Sequence, residues 1–120
     1  MKVFAISILL FIILLAVILS NALYIRSTAQ IMHQLTARLD EPKSRSDVLD
    51  ELRSLWEKRR PIIALTVGYR ELDHFDETLT QLQWAHQIES EAEFAHFRAL
   101  LPNAIDELTR TEHFSIKNIF

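Results

Sequence analysis

Two four-residue segments, Glu71-Leu72-Asp73-His74 and Glu93-Phe94-Ala95-His96, repeat the E-x-x-H spacing. On a helix that spacing sets a carboxylate and an imidazole on one face, and two such pairs joined by two further glutamates hold a di-iron centre inside a four-helix bundle. The rest of such a site is missing. Each motif opens its own helix, and in an antiparallel hairpin the two starts lie at opposite ends, on the order of 25 Å apart for helices of about eighteen residues. No other glutamate falls on an apolar stripe, so both motifs read as solvated charge, and no metal or other cofactor is expected. His86 does fall on an apolar stripe, but the pattern places no Ser or Cys nucleophile beside it, which favours a partly buried histidine over a catalytic base. Glu71, Asp73, Asp76 and Glu77 form a dense acidic run that could make weak cation contacts. It lacks the Asp-x-Asp-x-Asp-Gly loop that arranges oxygens around calcium. No enzyme is expected.

The element that positions everything else is N-terminal. Residues 3–19 contain one polar side chain, Ser7, and no charge, and after Ser20 and Asn21 the apolar character resumes to Ile25. A helix over residues 3–25 is roughly 34 Å long, enough to cross a hydrocarbon core of about 30 Å. Two readings stand. Ser20-Asn21-Ala22 has the small-x-small form of a signal peptidase site, with cleavage after Ala22 and Lys2 as a minimal basic n-region. The apolar run, however, exceeds the usual h-region of about 7–15 residues and no Gly or Pro interrupts it. An uncleaved anchor continuing into a stalk helix is the favoured reading, because Ile25, Met32 and Leu39 recur at seven with Thr28 and Leu35 between them. Tyr24 and Arg26 then stand where an aromatic belt residue and a snorkelling cation belong. The stalk seam is also a candidate homodimer contact.

Basic residues near the span formally favour a cytoplasmic C-terminal domain, with Arg26, Arg38, Lys43 and Arg45 set against Lys2. A short N-terminus with one lysine ahead of a long apolar helix is equally the form of a signal anchor. The expectation is a single-pass cell-membrane protein with a cytoplasmic N-terminus and an extracytoplasmic C-terminal domain.

Beyond Ile25 a single small domain follows. One Gly and three Pro in 120 residues are too few turn formers for a strand-rich fold, so the class expected is all-α. Of thirteen basic residues only Lys2 precedes Arg26, leaving twelve against sixteen acidic ones and a net charge of −4. That balance offers nothing to nucleic acid. The absence of Cys excludes disulfides and thiolate metal sites. Residues 40–47, with Pro42, form the first loop, and Ser44 or Ser46 can cap a second helix carrying Leu49, Leu52, Trp56 and Ile63. Pro61 predicts a kink or a break near Arg60, and Gly68 is placed to end that helix in a left-handed turn. A third helix carries Leu72, Phe75, Leu79 and Leu82. Ser90 and Glu93 form a capping box for a fourth, with Phe94, Phe97, Leu101, Ile105 and Leu108 on its stripe and Pro102 expected to kink it. The organisation expected is an anchor at 1–25, a stalk helix at 26–41, an antiparallel bundle of about three helices at 42–113, loosely like a tetratricopeptide hairpin, and an apolar tail at 114–120. The stalk helix is free to complete the bundle.

Partner contacts are sought among apolar groups. Trp56, Trp84 and the phenylalanines are most simply core, though an exposed aromatic such as Trp56 or Tyr69 can anchor a partner. Lys58-Arg59-Arg60 could meet lipid headgroups, but it lies far along the chain from the membrane exit and reads as a solvated face. Ile116, Ile119 and Phe120 give an apolar end to an extended tail, which frays unless it docks on the bundle or on a neighbour.

Taken together, the N-terminal anchor, Trp56-Glu57-Lys58-Arg59, Glu71-Leu72-Asp73 with Asp76 and Leu79, and the closing Ser115-Ile116-Lys117-Asn118-Ile119-Phe120 resemble a family of small single-span helical membrane proteins. The family, domain-of-unknown-function family 4363, occurs in Gram-positive, often spore-forming, bacteria. The likeness covers nearly the whole chain. It implies an anchored helical domain and supplies no catalytic residue. Where its members often have a histidine two residues before E-L-D, this chain has Tyr69. The function expected is a non-enzymatic binding or accessory subunit of an integral membrane protein. The alternative is a cell-surface helical sensor for a small molecule or cation.

Overall fold

The apolar segment and the stalk seam form one unbroken helix, α1 (Lys2–Arg38). A short 3-10 turn at Pro42–Ser44 leads to α2 (Arg45–Ile63), α3 (Tyr69–Gln87) and α4 (Glu91–Ile119). The computed structural model describes the backbone of residues 1–119 and the side chains of residues 1–110. Among these residues there is no strand, and the fold is all-α.

The four helices pack up-down-up-down. Antiparallel neighbours are fixed by cross-links of steadily descending register: Arg38 to Glu51 and Arg59 to Thr28 between α1 and α2, and Arg98 to Asp40 and His33 to Asp106 between α4 and α1. α3 pairs with α4 through His74 and Glu107, so α4 closes the ring onto α1. The result is a rod of 67 × 22 × 18 Å, two helices across in each short direction. Arg53 ties α2 to α3, donating to Asp76, Thr80 and Gln83.

The residues expected in a stalk supply four of the 21 described residues of the core. From Asn21 onward α1 buries Ile25, Thr28, Ala29, Met32, Leu35 and Leu39, against the stripes of α2, α3 and α4. Bundles need such a fourth apolar stripe because three helices leave one side of the core open. Trp56 and Phe75 stack at a tilt in the centre, ring centroids 4.4 Å apart.

Several local expectations change. α2 runs through Pro61 and stops at Ile63, with no break at Arg60. Only the final turn follows the proline, and Glu57, whose carbonyl loses its amide partner, is solvent-facing and can bond water. Gly68 does not end α2 in a left-handed turn. It is the extended N-cap of α3, at φ −66° and ψ 153°, and its bare Cα lets the Glu71 carboxylate fold back to 2.8 Å from where a Cβ would stand. The left-handed residue is Glu89, at φ 57°, which ends α3 with Ser90 N donating to Ala85 O and Glu89 N to His86 O. Ser44 stands at the start of α2 without capping it, since its hydroxyl donates to carbonyls of the preceding turn. Ser90 does cap α4, accepting the Glu93 amide at 3.3 Å. α4 passes through Pro102 and stays helical to Ile119 where an extended tail was expected.

Candidate membrane and partner interface

Nothing in residues 1–20 of α1 is buried; Val3, Phe4, Leu9, Leu10, Phe11 and Leu14 are all more than half exposed. α1 is the one helix among the described residues long and apolar enough to cross a membrane. Burial starts abruptly at Asn21, 7% exposed, and Ala22, 6% exposed. The bundle therefore begins within the segment expected to be anchor.

Because α2 returns antiparallel to α1, the turn between α2 and α3 comes back to this same level. Asn21 Nδ2 donates to Thr66 Oγ1 at 2.6 Å, tying the turn to the point where α1 leaves the bundle. Two turns further along α1, Arg59 Nη1 donates to Thr28 Oγ1 at 2.8 Å, and its guanidinium lies 5.0 Å from the centre of the Tyr24 ring. Arg60 pairs with Asp73 at 3.5 Å. The basic cluster read as remote from the membrane exit is thus close to it in space. Distance along the chain misled, because the nineteen residues of α2 run back antiparallel along α1 and return its C-terminal end to the level of Tyr24 and Thr28.

The turn itself is apolar and open. Ile62 is 43% exposed, Leu65 75% and Tyr69 76%. With Ile13, Ala16, Val17, Ile18, Ser20, Asn21 and Tyr24 of α1, residues Ile62, Leu65 and Thr66 line a groove of about 690 Å³. Tyr69 keeps the exposure a partner contact needs. Trp56, 1% exposed against Phe75, is core and offers no surface to a partner. Ile116 and Ile119 lie outside the described side chains and Phe120 outside the described backbone, so the proposed contacts of the C-terminal end fall beyond the described residues.

No family model, curated protein or solved structure gives a significant match to this chain. The fold is therefore read from its own geometry.

The acidic run is more occupied than its spacing suggested. Asp76 faces Arg53 at 2.5 Å, Asp73 faces Arg60, and Glu71 lies over Gly68. His74 Nδ1 lies 2.8 Å from Glu107 Oε2. A shallow cavity of about 660 Å³ remains between Arg70, Glu71, Asp73, His74, Glu77, Glu107 and Arg110, lined by both signs of charge. No group of three or more His, Asp or Glu able to hold a metal ion occurs among the described residues. Register sets the two E-x-x-H motifs at opposite ends: with His74 beside Glu107, Glu71 stands level with Arg110, about 25 Å along α4 from Glu93. His96 packs on Phe97, and half-buried His86 faces Phe94 at 6.2 Å.

The homodimer seam is also spoken for within the chain. Ile25, Met32 and Leu39 are 1%, 0% and 0% exposed, filled by the bundle's own helices. Sequence periodicity reports that a helix face is buried, and not by which helix.

Proposed function

We propose that this chain is a non-enzymatic, single-span membrane protein whose bundle works by binding, as an accessory subunit of an integral membrane protein. One observation carries the reading: α1 is a single helix whose first half exposes an almost wholly apolar surface, Ser7 the one polar side chain between residues 3 and 19, and whose second half is core of the bundle. No flexible joint separates the two. A partner helix that contacts the first half in the membrane fixes the position and rotation of the bundle outside it, and the reverse holds. The resemblance to the single-span family implies an anchored helical domain, in keeping with α1 as an uncleaved anchor, and the short N-terminus with Lys2 ahead of the apolar helix supports an extracytoplasmic bundle.

The test is mild-detergent co-purification of the full chain beside a variant whose residues 3–19 are all leucine. The variant keeps the span and loses its side-chain relief. A stoichiometric multi-pass protein held by the natural chain and lost by the polyleucine variant is the expected result. Absence of any stoichiometric membrane partner from both overturns the accessory role.

The mixed-charge cavity at Arg70, Glu71 and Glu107 favours a second reading, a sensor for a small polar molecule. Engagement of Asp73 and Asp76 by arginines argues against a bare cation there. A rise in the melting temperature of the full chain with a small dicarboxylate or amino acid, absent in Arg70→Ala, supports this reading.

A further inference from the structure

We propose that the α2–α3 turn, with Ile62, Leu65 and Tyr69, is a second membrane contact that seats the bundle in the lipid interface beside α1. The inference rests on the reading of α1 as a membrane span.

The argument is one of length. From Lys2 to Ser20 the apolar part of α1 measures about 27 Å, slightly less than a hydrocarbon core of about 30 Å. All of it is needed to cross. The near face of the core then falls at Ser20 and Asn21, the level at which the bundle starts. No stalk lifts the bundle away, so its end must rest on the bilayer.

What rests there is apolar. Ile62 and Leu65 line one groove with Val17 and Ile13, which lie one to two turns inside the span from Asn21. Four to eight residues at 1.5 Å each put that wall of the groove roughly 6–12 Å inside the span, overlapping the depth of about 5–10 Å to which interfacial elements bury their apolar face. Leu65 at 75% exposure is costly in water and favourable in acyl chains. The groove is continuous with the lipid-facing surface of α1, so lipid is its occupant. Groups suited to headgroups stand at this end of the bundle: Arg59 over Tyr24 at the groove, the exposed ring of Tyr69 and exposed Arg70 just after the turn, and exposed Arg26 on the side of α1 that faces α4. The tie from Asn21 to Thr66 holds the turn at this depth.

The chain has no cysteine, so single-cysteine variants carry a fluorophore at one chosen site. Leu9→Cys, Leu65→Cys and Glu89→Cys all replace exposed side chains and leave the core untouched. Each full chain is labelled with a nitrobenzoxadiazole dye and reconstituted in phosphatidylcholine vesicles with and without a lipid spin-labelled near the headgroup. The expected result is blue-shifted emission at positions 9 and 65, a loss of intensity of about twofold or more at 65 with the spin-labelled lipid, and no change at 89. Emission at 65 that matches 89 while position 9 stays in lipid overturns the second contact alone. Aqueous emission at position 9 overturns the span, and the contact with it.

Discussion

The two halves of α1 share one backbone and differ in everything around it. In residues 2–20 the apolar side chains point to every side and none is buried; in residues 21–39 most of them, with Leu23 an exception at 66% exposed, keep to one seam, and that seam is buried to its last residue, Leu39, 0% exposed. The first half is satisfied by an apolar surrounding, and the seam of the second is filled by the other helices of the same chain. A helix therefore passes from exposed to packed without changing its geometry, and the change occurs within one turn, at Asn21. The same chemical insult should have unlike consequences on the two sides of that residue.

The largest effect is expected from Met32→Asp. Met32 is fully buried, and a carboxylate there has no partner. The cost should reach about 4 kcal/mol or more, enough to abolish cooperative unfolding of a bundle this size. Thermal melts followed by circular dichroism in mild detergent should lose their transition while the apolar half stays helical. A preserved transition would mean that the second half of α1 is a free stalk and not a core helix.

Leu10→Arg makes the complementary change. Leu10 is 60% exposed and touches no core residue, so the melt should move by no more than about 0.5 kcal/mol. The penalty appears in membrane integration instead, about 2.5–3.5 kcal/mol for a cation near the centre of a span. Alkaline extraction of membranes should release the variant and retain the natural chain. If the melt suffers and integration does not, the two halves have been assigned the wrong way round.

Much of this contrast was legible in the sequence. Seventeen residues with a single hydroxyl could hardly be misread, and Leu72, Phe75, Leu79 and Leu82 declared a buried stripe. Ser90 with Glu93 marked the start of α4 because capping chemistry is local. What periodicity could not reveal was pairing. Ile25, Met32 and Leu39 read equally well as a dimer seam or a bundle seam, and Arg59 looked distant from Tyr24 because nothing local records that α2 turns back. The Gly68 error has the same character. Glycine is favoured both past the end of a helix and at the start of one, and a connection of five residues between α2 and α3 gave it either role. The left-handed position fell to Glu89, a residue with no preference for it, held there by the two hydrogen bonds that close α3.

Glu89 gives the smallest prediction and a check on the contrast from the far end of the molecule. It lies at the turn most distant from the apolar half of α1, exposed, with a backbone conformation that burdens any side chain bearing a Cβ. Glu89→Gly removes that strain and adds freedom to the unfolded chain, and the two partly cancel. A net gain of about 0.5–1 kcal/mol is expected, read as a rise in the melting temperature of the bundle. Integration into membranes should not change. Because α1 is continuous, a stabilised distal turn that altered the depth of position 65 in lipid would show that the two halves of the molecule are energetically coupled; equal depth with a higher melting temperature would show that the boundary at Asn21 separates them in energy as it does in burial.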